Sequence, residues 1–284
     1  MRTRLVGLVA TALIGGAMLA AAPAAVAAAP AAGPAPAVTV NFRAIVALSN
    51  CSGSVIRPVN AASTDPALVL TNGHCYRFMS AGEAVVNLSS TRTFSLLNSS
   101  GTGTLGTLRA TRLAYATMTG TDIAIYRLSQ TYAQIQQQFG TTALTLSASH
   151  PVAGTDIKVV SGYWRRIYSC RIDNFVFSLR EANWTWRDSI RYTSLSTCQT
   201  IGGTSGSPIV DVASGNVVGV NNTSNEDGQS CTLNNPCEVD QSGNVTVRPG
   251  ARYGQQTFQI NACIGTGNTI NLSLPGCTLT RPAA

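Results

Sequence analysis

The stretch IGGTSGSPIV, residues 201–210, sets Ser205 among Gly202, Gly203 and Gly206 and then runs through Pro208 into a β-branched segment. Glycine weakens a strand and is kept where the backbone adopts conformations other residues avoid, or where another group approaches the main chain closely. A structural turn accounts for this pattern, and so does a nucleophile. A serine hydroxyl attacks only when a base takes its proton, and the oxyanion that forms needs backbone N–H donors aimed at it. Glycines just before the serine let the chain turn such donors inward, which makes the N–H groups of Gly203 and Ser205 the candidates.

A base for that serine must come from two histidines, His74 and His150. His150 precedes Pro151 in a loop-like stretch and reads as an exposed or turn-stabilising residue. His74 follows an apolar run in LVLTNGHCYR, beside a cysteine that can hold its backbone rigid. A structural and a catalytic role both fit it. Asp122, in GTDIAIYRL, opens an apolar strand, and a buried carboxylate persists only when paired or hydrogen-bonded. Alone, it could equally be a turn residue at the Gly120 corner.

The surrounding chain reads as short apolar and β-branched segments, among them ALVLTN, AVVNLSS, DIKVVSGYW, NFVFSL and SPIVDV, separated by Gly, Ser, Thr and Asn. This pattern predicts a barrel or sandwich rather than alternating strands and helices. One helix is expected in TYAQIQQQFG: Thr131 caps it, Tyr132, Ile135 and Phe139 share a face, and Gly140 ends it. It lies near the joint of two β-rich halves with no Pro-rich or Ser-rich linker between them. Trp184 and Trp186 in NWTWRDS alternate onto one face of a strand, where core packing is the better reading and a substrate-contacting rim the lesser one.

At the amino end, MRTR, an apolar run and an Ala/Pro-rich segment with Ala25-Val26-Ala27 form the three-part pattern of a signal peptide over residues 1–29, cleaved near 27–29. A retained membrane helix would need about 20 apolar residues, and Gly15, Gly16 and Pro23 interrupt the run. Export would place the eight cysteines in oxidising surroundings. Sequence order suggests neighbour pairing: Cys51 with Cys75, Cys170 with Cys198, Cys231 with Cys237, and Cys263 with Cys277. Zinc is disfavoured, because neither C-x2-C, H-E-x-x-H nor clustered histidine is present. The 284 residues carry 19 Lys+Arg and 12 Asp+Glu, a net charge of +7, yet no basic run with interleaved aromatics marks nucleic-acid binding.

Taken together, TNGHC, TDIAI and GTSGSP, in that order, resemble TAAHC, DIAL and GDSGGP of the chymotrypsin-like serine proteases. CSGSVI, containing Cys51, stands where that family has CGGSLI. AGTDIKVVSGYW is similar to the strand opening the family's second barrel, GNVVGVNN to the strand lining substrate, and RPGARYGQQ distantly to PGVYTRV. The resemblance covers roughly residues 40–262. An α/β-hydrolase would need Ser before Asp before His and a glycine at the position of Ser207.

The resemblance implies an all-β fold of two packed six-stranded antiparallel β-barrels, with one short helix between them and a disulfide-stapled tail. After an Ala/Pro-rich segment 30–37, the peptidase domain would span 38–262, its first barrel and helix 38–143 and its second barrel 144–262, leaving 263–284 as the tail. It implies a secreted serine endopeptidase in which Ser205 attacks, His74 moves the proton, Asp122 orients the imidazole and the Gly203 and Ser205 N–H groups hold the oxyanion. The expectation is a monomer of the secreted bacterial branch, acting on polypeptides without cofactor or metal, and binding neither nucleic acid nor, after signal removal, a membrane. An inactive protease-like binding protein and a serine esterase on the same fold are the alternatives.

Several positions depart from the family pattern. Thr204 replaces the Asp that pairs with a new amino terminus in activated zymogens, so local packing and disulfides are expected to order the oxyanion pocket instead. GTSGSP is similar in this respect to GNSGSP of the glutamyl-endopeptidase branch. Gln199 replaces the Asp that selects Arg and Lys in the trypsin branch. Thr200 matches the glutamyl branch, but Asn221 stands where that branch places a His. Arg252 reads as a solvated surface residue or as a partner for an acidic side chain. Gln199, Thr200, Asn221, Asn222 and Thr223 are the candidate substrate contacts, the last three through their backbones, as an added strand would require.

Overall fold

The computed structural model describes residues 38–283 together with Thr3 and Gly7; the expected signal peptide and the segment 30–37 lie outside the described residues apart from those two positions. The first barrel is built from β1 (Ile45–Ala47), β2 (Ser52–Arg57), β3 (Pro66–Thr71), β4 (Ala84–Ser89), β5 (Thr93–Leu97), β6 (Thr104–Thr117) and β7 (Ile123–Thr131). Antiparallel pairing runs β1-β5-β6-β7-β3-β2 and returns to β1, closing a six-stranded ring, while β4 lies along the far end of the long β6. Closure removes the exposed edges that an open sheet must protect. Val55, Leu68, Leu70, Leu96, Leu108, Ile125 and Tyr126, drawn from both faces of this ring, are buried in one apolar cluster.

A single-turn helix α1 (Gly73–Tyr76) follows β3, and α2 (Tyr132–Phe139) follows β7. Thr131 and Gln134 form a reciprocal capping box at the start of α2, and Gly140, at φ 64°, ends it. Tyr132 and Ile135 are buried and Phe139 packs against the barrel. The boundaries and inward face are those the sequence predicts.

The second barrel follows a short β8 (Leu144–Thr145) that pairs with β2. Its strands are β9 (Asp156–Ser161), β10 (Arg166–Glu181), β11 (Trp184–Tyr192), β12 (Pro208–Asp211), β13 (Val217–Ser224) and, beyond a small hairpin β14 (Cys237–Val239) and β15 (Val245–Val247), β16 (Arg252–Gln256). Pairing runs β11-β16-β13-β12-β9-β10 and back to β11, a second closed ring of six. The 16-residue β10 continues past the barrel to pair with β14.

The joint between the barrels is close and mostly apolar. Val160, Val210, Val217 and Val220 of the second barrel belong to the same core cluster as Val46, Ile56 and Leu144. Ser52 Oγ meets Ser161 Oγ at 3.0 Å across it. Trp184 and Trp186 reach from β11 to the first barrel, where their indole N–H groups donate to the carbonyls of Met79 at 2.7 Å and Met118 at 2.9 Å. The two tryptophans therefore fasten one barrel to the loops that flank the histidine and aspartate of the other.

Disulfides join Cys51–Cys75, Cys170–Cys198, Cys231–Cys237 and Cys263–Cys277, leaving no free thiol. The first ties α1 to β2, and the second ties β10 to the segment leading into Ser205. Beyond β16 the tail folds back over the first barrel. Leu279 is buried in that barrel's cluster, Tyr115 Oη donates to the Thr280 carbonyl at 2.8 Å, and Thr280 Oγ1 donates to Thr119 O at 2.6 Å, three residues before Asp122. No helix among the described residues is long and apolar enough to cross a membrane.

Candidate active site

His74 lies on α1 because β3 ends at Thr71 and the chain turns once, with Asn72 Nδ2 donating to the Asp122 carbonyl at 2.8 Å. Asp122 is fully buried at the start of β7. Its Oδ1 accepts the backbone N–H of His74 at 3.0 Å and its Oδ2 meets His74 Nδ1 at 2.7 Å. Both carboxylate oxygens thus act on one residue, fixing its backbone and its ring together. This arrangement puts the proton on Nδ1 and leaves Nε2 as the basic nitrogen. Burial opposes charging the ring, but the charge and hydrogen bond of Asp122, with a further contribution from Glu181, outweigh it, so the His74 pKa is raised above 6.5.

The pair is tightly packed against Gly73. A Cβ there would fall 2.1 Å from Thr117 O and 2.9 Å from Asp122 Oδ1. Gly73→Ala is therefore expected to displace the His74–Asp122 pair and lower kcat by about 10- to 100-fold, measurable as turnover beside an unfolding curve that separates a shifted site from a loss of fold.

Ser205 sits in the same cleft, which His74, Asp122, Trp184, Thr200, Gly202, Asn222 and Thr223 also border. Its Oγ donates to the Asn222 carbonyl at 3.3 Å, and no hydrogen bond joins it to His74. The hydroxyl thus rests on β13. The glycines around it have separate reasons. Gly203, at φ 85°, is the third residue of a turn closed by Thr204 N–H donating to Ile201 O at 3.0 Å, a geometry that requires positive φ. Gly206 lies so close to β2 and β3 that a Cβ would stand 2.2 Å from both Ser52 O and Thr71 Oγ1. Gly202 has open space around it and no such constraint.

The loop is pinned from several sides. Ser52 N–H donates to Ser205 O at 2.8 Å, Gly206 N–H to Asn221 O at 3.0 Å, and Trp164 Nε1 to Gly202 O at 2.7 Å. The N–H groups of Gly203 and Ser205 donate to no acceptor among the described residues. Thr204 is buried; its Oγ1 donates to Ile201 O at 2.5 Å and accepts from Asn221 Nδ2 at 3.2 Å. Uncharged local hydrogen bonds therefore hold this turn without an ion pair.

The candidate substrate contacts divide. Thr200, Asn222 and Thr223 border the cleft, but Gln199 does not: its side chain bonds to Leu195 O at 2.9 Å and to Arg252 Nη2 at 2.6 Å. Asn221 borders it, yet its N–H donates to Ser207 O and its carbonyl accepts from Gly206, so its backbone is not free for an added strand as expected. Arg252 is neither simply solvated nor poised for substrate. Its guanidinium donates to Thr200 O, Gly250 O and Gln199 Oε1, clamping β16 to the approach to Ser205. His150 lies away from the cleft, beside Asp188 Oδ2 at 3.0 Å and packed on Phe175. Cys51 and Cys75 lie near His74, but their sulfurs are joined and offer no thiolate to a metal.

Residues the sequence did not single out also border the cleft, notably Phe78, Glu181, Leu233 and Asn234. Glu181 was legible in principle: Leu179 and Glu181 alternate onto the buried face of β10, and a carboxylate there needs a reason.

Paired six-stranded barrels with such a cleft are the architecture of the chymotrypsin-like serine proteases. Residues 51–220 match the trypsin-like peptidase domain, and the chain belongs to that family. No curated protein matches it by sequence. Among solved structures it is similar to a protease of M. tuberculosis in its active form, at 16% identity over 84% of this chain and 82% of that one, with a TM-score of 0.44. It is also similar to the Nocardiopsis protease, at 16% identity over 76% of this chain and 92% of that one, with a TM-score of 0.41. Cellulomonas bogoriensis chymotrypsin is 18% identical over 76% of this chain and 90% of that one, with a TM-score of 0.38.

Proposed function

We propose that this serine protease is a secreted endopeptidase working through an acyl-enzyme, with Ser205 as nucleophile, His74 as general base and acid, and Asp122 as the group that orients and stabilises the imidazole. The observation that carries the reading is the doubly bonded Asp122 carboxylate, which leaves the basic Nε2 of His74 for the cleft that Ser205 borders. Rotation of the Ser205 hydroxyl from Asn222 O toward Nε2 would transfer its proton as Oγ attacks the substrate carbonyl. The oxyanion would be held by the unengaged N–H groups of Gly203 and Ser205. His74 would return the proton to the leaving amine, and water would then release the acyl group by the reverse steps. Removal of a signal peptide over residues 1–29 precedes activity, and the fully paired cysteines suit an oxidising exterior.

An internally quenched peptide blocked at both ends tests this directly: cleavage within it supports an endopeptidase, whereas hydrolysis of small esters alone would favour the esterase reading. The acid limb of kcat/KM should follow His74. A raised pKa keeps the ring protonated, and so unable to act as base, to a higher pH. The rate is therefore expected to fall as pH drops through an apparent pKa above 6.5. A limb lying below that value would contradict the Asp122–His74 coupling.

A further inference from the structure

Glu181, the last residue of β10, is the one buried acidic side chain among the described residues besides Asp122. It is 4% exposed and borders the cleft. Thr223 Oγ1 donates to its Oε2 at 2.6 Å and the Asn234 N–H donates to its Oε1 at 3.0 Å. Each oxygen therefore retains acceptor capacity. No lysine or arginine among the described residues forms an ion pair with it, unlike Glu238, which is held by Arg191 and Arg248. A buried carboxylate without a cation is costly and gains most from one supplied from outside. Burial pushes the Glu181 pKa up, against its two hydrogen bonds and the charge of His74, with a further rise from Asp122.

Part of the cleft wall that Glu181 shares is apolar. Phe78 is 63% exposed, its ring centroid 5.7 Å from that of Trp184, and Leu233 is half exposed on the Cys231–Cys237 loop. Rings and an aliphatic side chain leading to a carboxylate match a long apolar stem with a cationic head. The chain's net charge of +7 would disfavour cationic ligands over most of its surface, so this is a local exception.

We propose that Glu181 is a specificity-determining residue that receives the ammonium or guanidinium of a substrate Lys or Arg side chain, with the stem lying on Phe78 and Trp184. The proposal rests on the protease reading above. It also differs from selection at the position of Gln199, which faces away from the cleft.

The test uses quenched peptides blocked at both ends, so that the side chain is the only cation, with lysine, acetyl-lysine or norleucine moved through each position around the cleaved bond. The wild-type protein is expected to cut the lysine peptide about 10- to 100-fold better than the acetyl-lysine one at one position. In Glu181→Gln that ratio should fall to near one. A wild-type ratio near one at every position overturns the proposal even if the variant does not fold. Glu226, an exposed carboxylate that also borders the cleft, is the control: a ratio retained in Glu181→Gln but lost in Glu226→Gln overturns the proposal too. Equal cleavage of all three peptides leaves the protease standing and removes only the subsite; cleavage of none overturns both.

Discussion

Ser205→Ala is expected to lower peptide turnover by about 10⁵–10⁶-fold, leaving the residual rate that binding and oxyanion stabilisation give without a nucleophile. The substitution removes only Oγ, whose single protein hydrogen bond is to Asn222 O. The turn around it is held by main-chain bonds from Ser52 and Gly206 and by the Thr204 hydroxyl, none of which involves the lost atom. The variant should therefore unfold at essentially the wild-type denaturant concentration. A large loss of rate with unchanged stability is the signature of a reacting group, and single-turnover kinetics on the quenched peptide would measure it. Retained cleavage would place the nucleophile elsewhere.

Asp122→Asn should cost about 10⁴-fold in kcat, and the reason lies in the two bonds the carboxylate makes. An amide has one accepting oxygen. If that oxygen keeps the His74 backbone N–H, the amide NH₂ is turned toward Nδ1 in place of Oδ2. Nδ1 must then accept, the proton moves to Nε2, and the nitrogen facing the cleft can no longer act as base. If the amide turns the other way, the backbone bond is lost and α1 is released. The negative charge that raises the His74 pKa also disappears, so the acid limb of the pH profile should move down relative to wild type. A variant of near-normal rate would show that Asp122 only supports the turn.

Much of this was legible in the sequence because the site is built from local motifs. GTSGSP announced a glycine-bound serine turn, and Gly203 and Gly206 are there for reasons of φ and close approach. The capping box of α2 and the inward face of Tyr132 and Ile135 are likewise short-range features. What sequence reading missed depends on contacts between residues far apart. Gln199 stands six positions from the serine in the expected place, but Arg252, 53 residues on, draws its side chain away from the cleft. Asn221 has the expected strand, yet its backbone is taken by Gly206 and Ser207, because the Ser205 loop folds onto that edge. Glu181 escaped notice because its importance arises only when β10 is long enough to carry a buried carboxylate past the barrel and into the cleft. The tail, similarly, reads as a stapled appendix, whereas Thr280 bonds to the loop that leads into Asp122.

The tryptophans show both limits at once. Alternation correctly puts Trp184 and Trp186 on one face, but not the use of that face, which is to hand two indole N–H groups to main-chain carbonyls of the opposite barrel. Buried indoles need such partners, and here the partners lie on the segments leading away from His74 and toward Asp122.

Labelling of the folded protein with a fluorophosphonate, followed by peptide mapping, examines the cooperation of serine and histidine most directly. A single adduct on the peptide containing Ser205, absent from His74→Ala of unchanged circular dichroism, is the outcome expected. A folded wild-type protein that takes up no label, or carries it on another residue, would contradict the account.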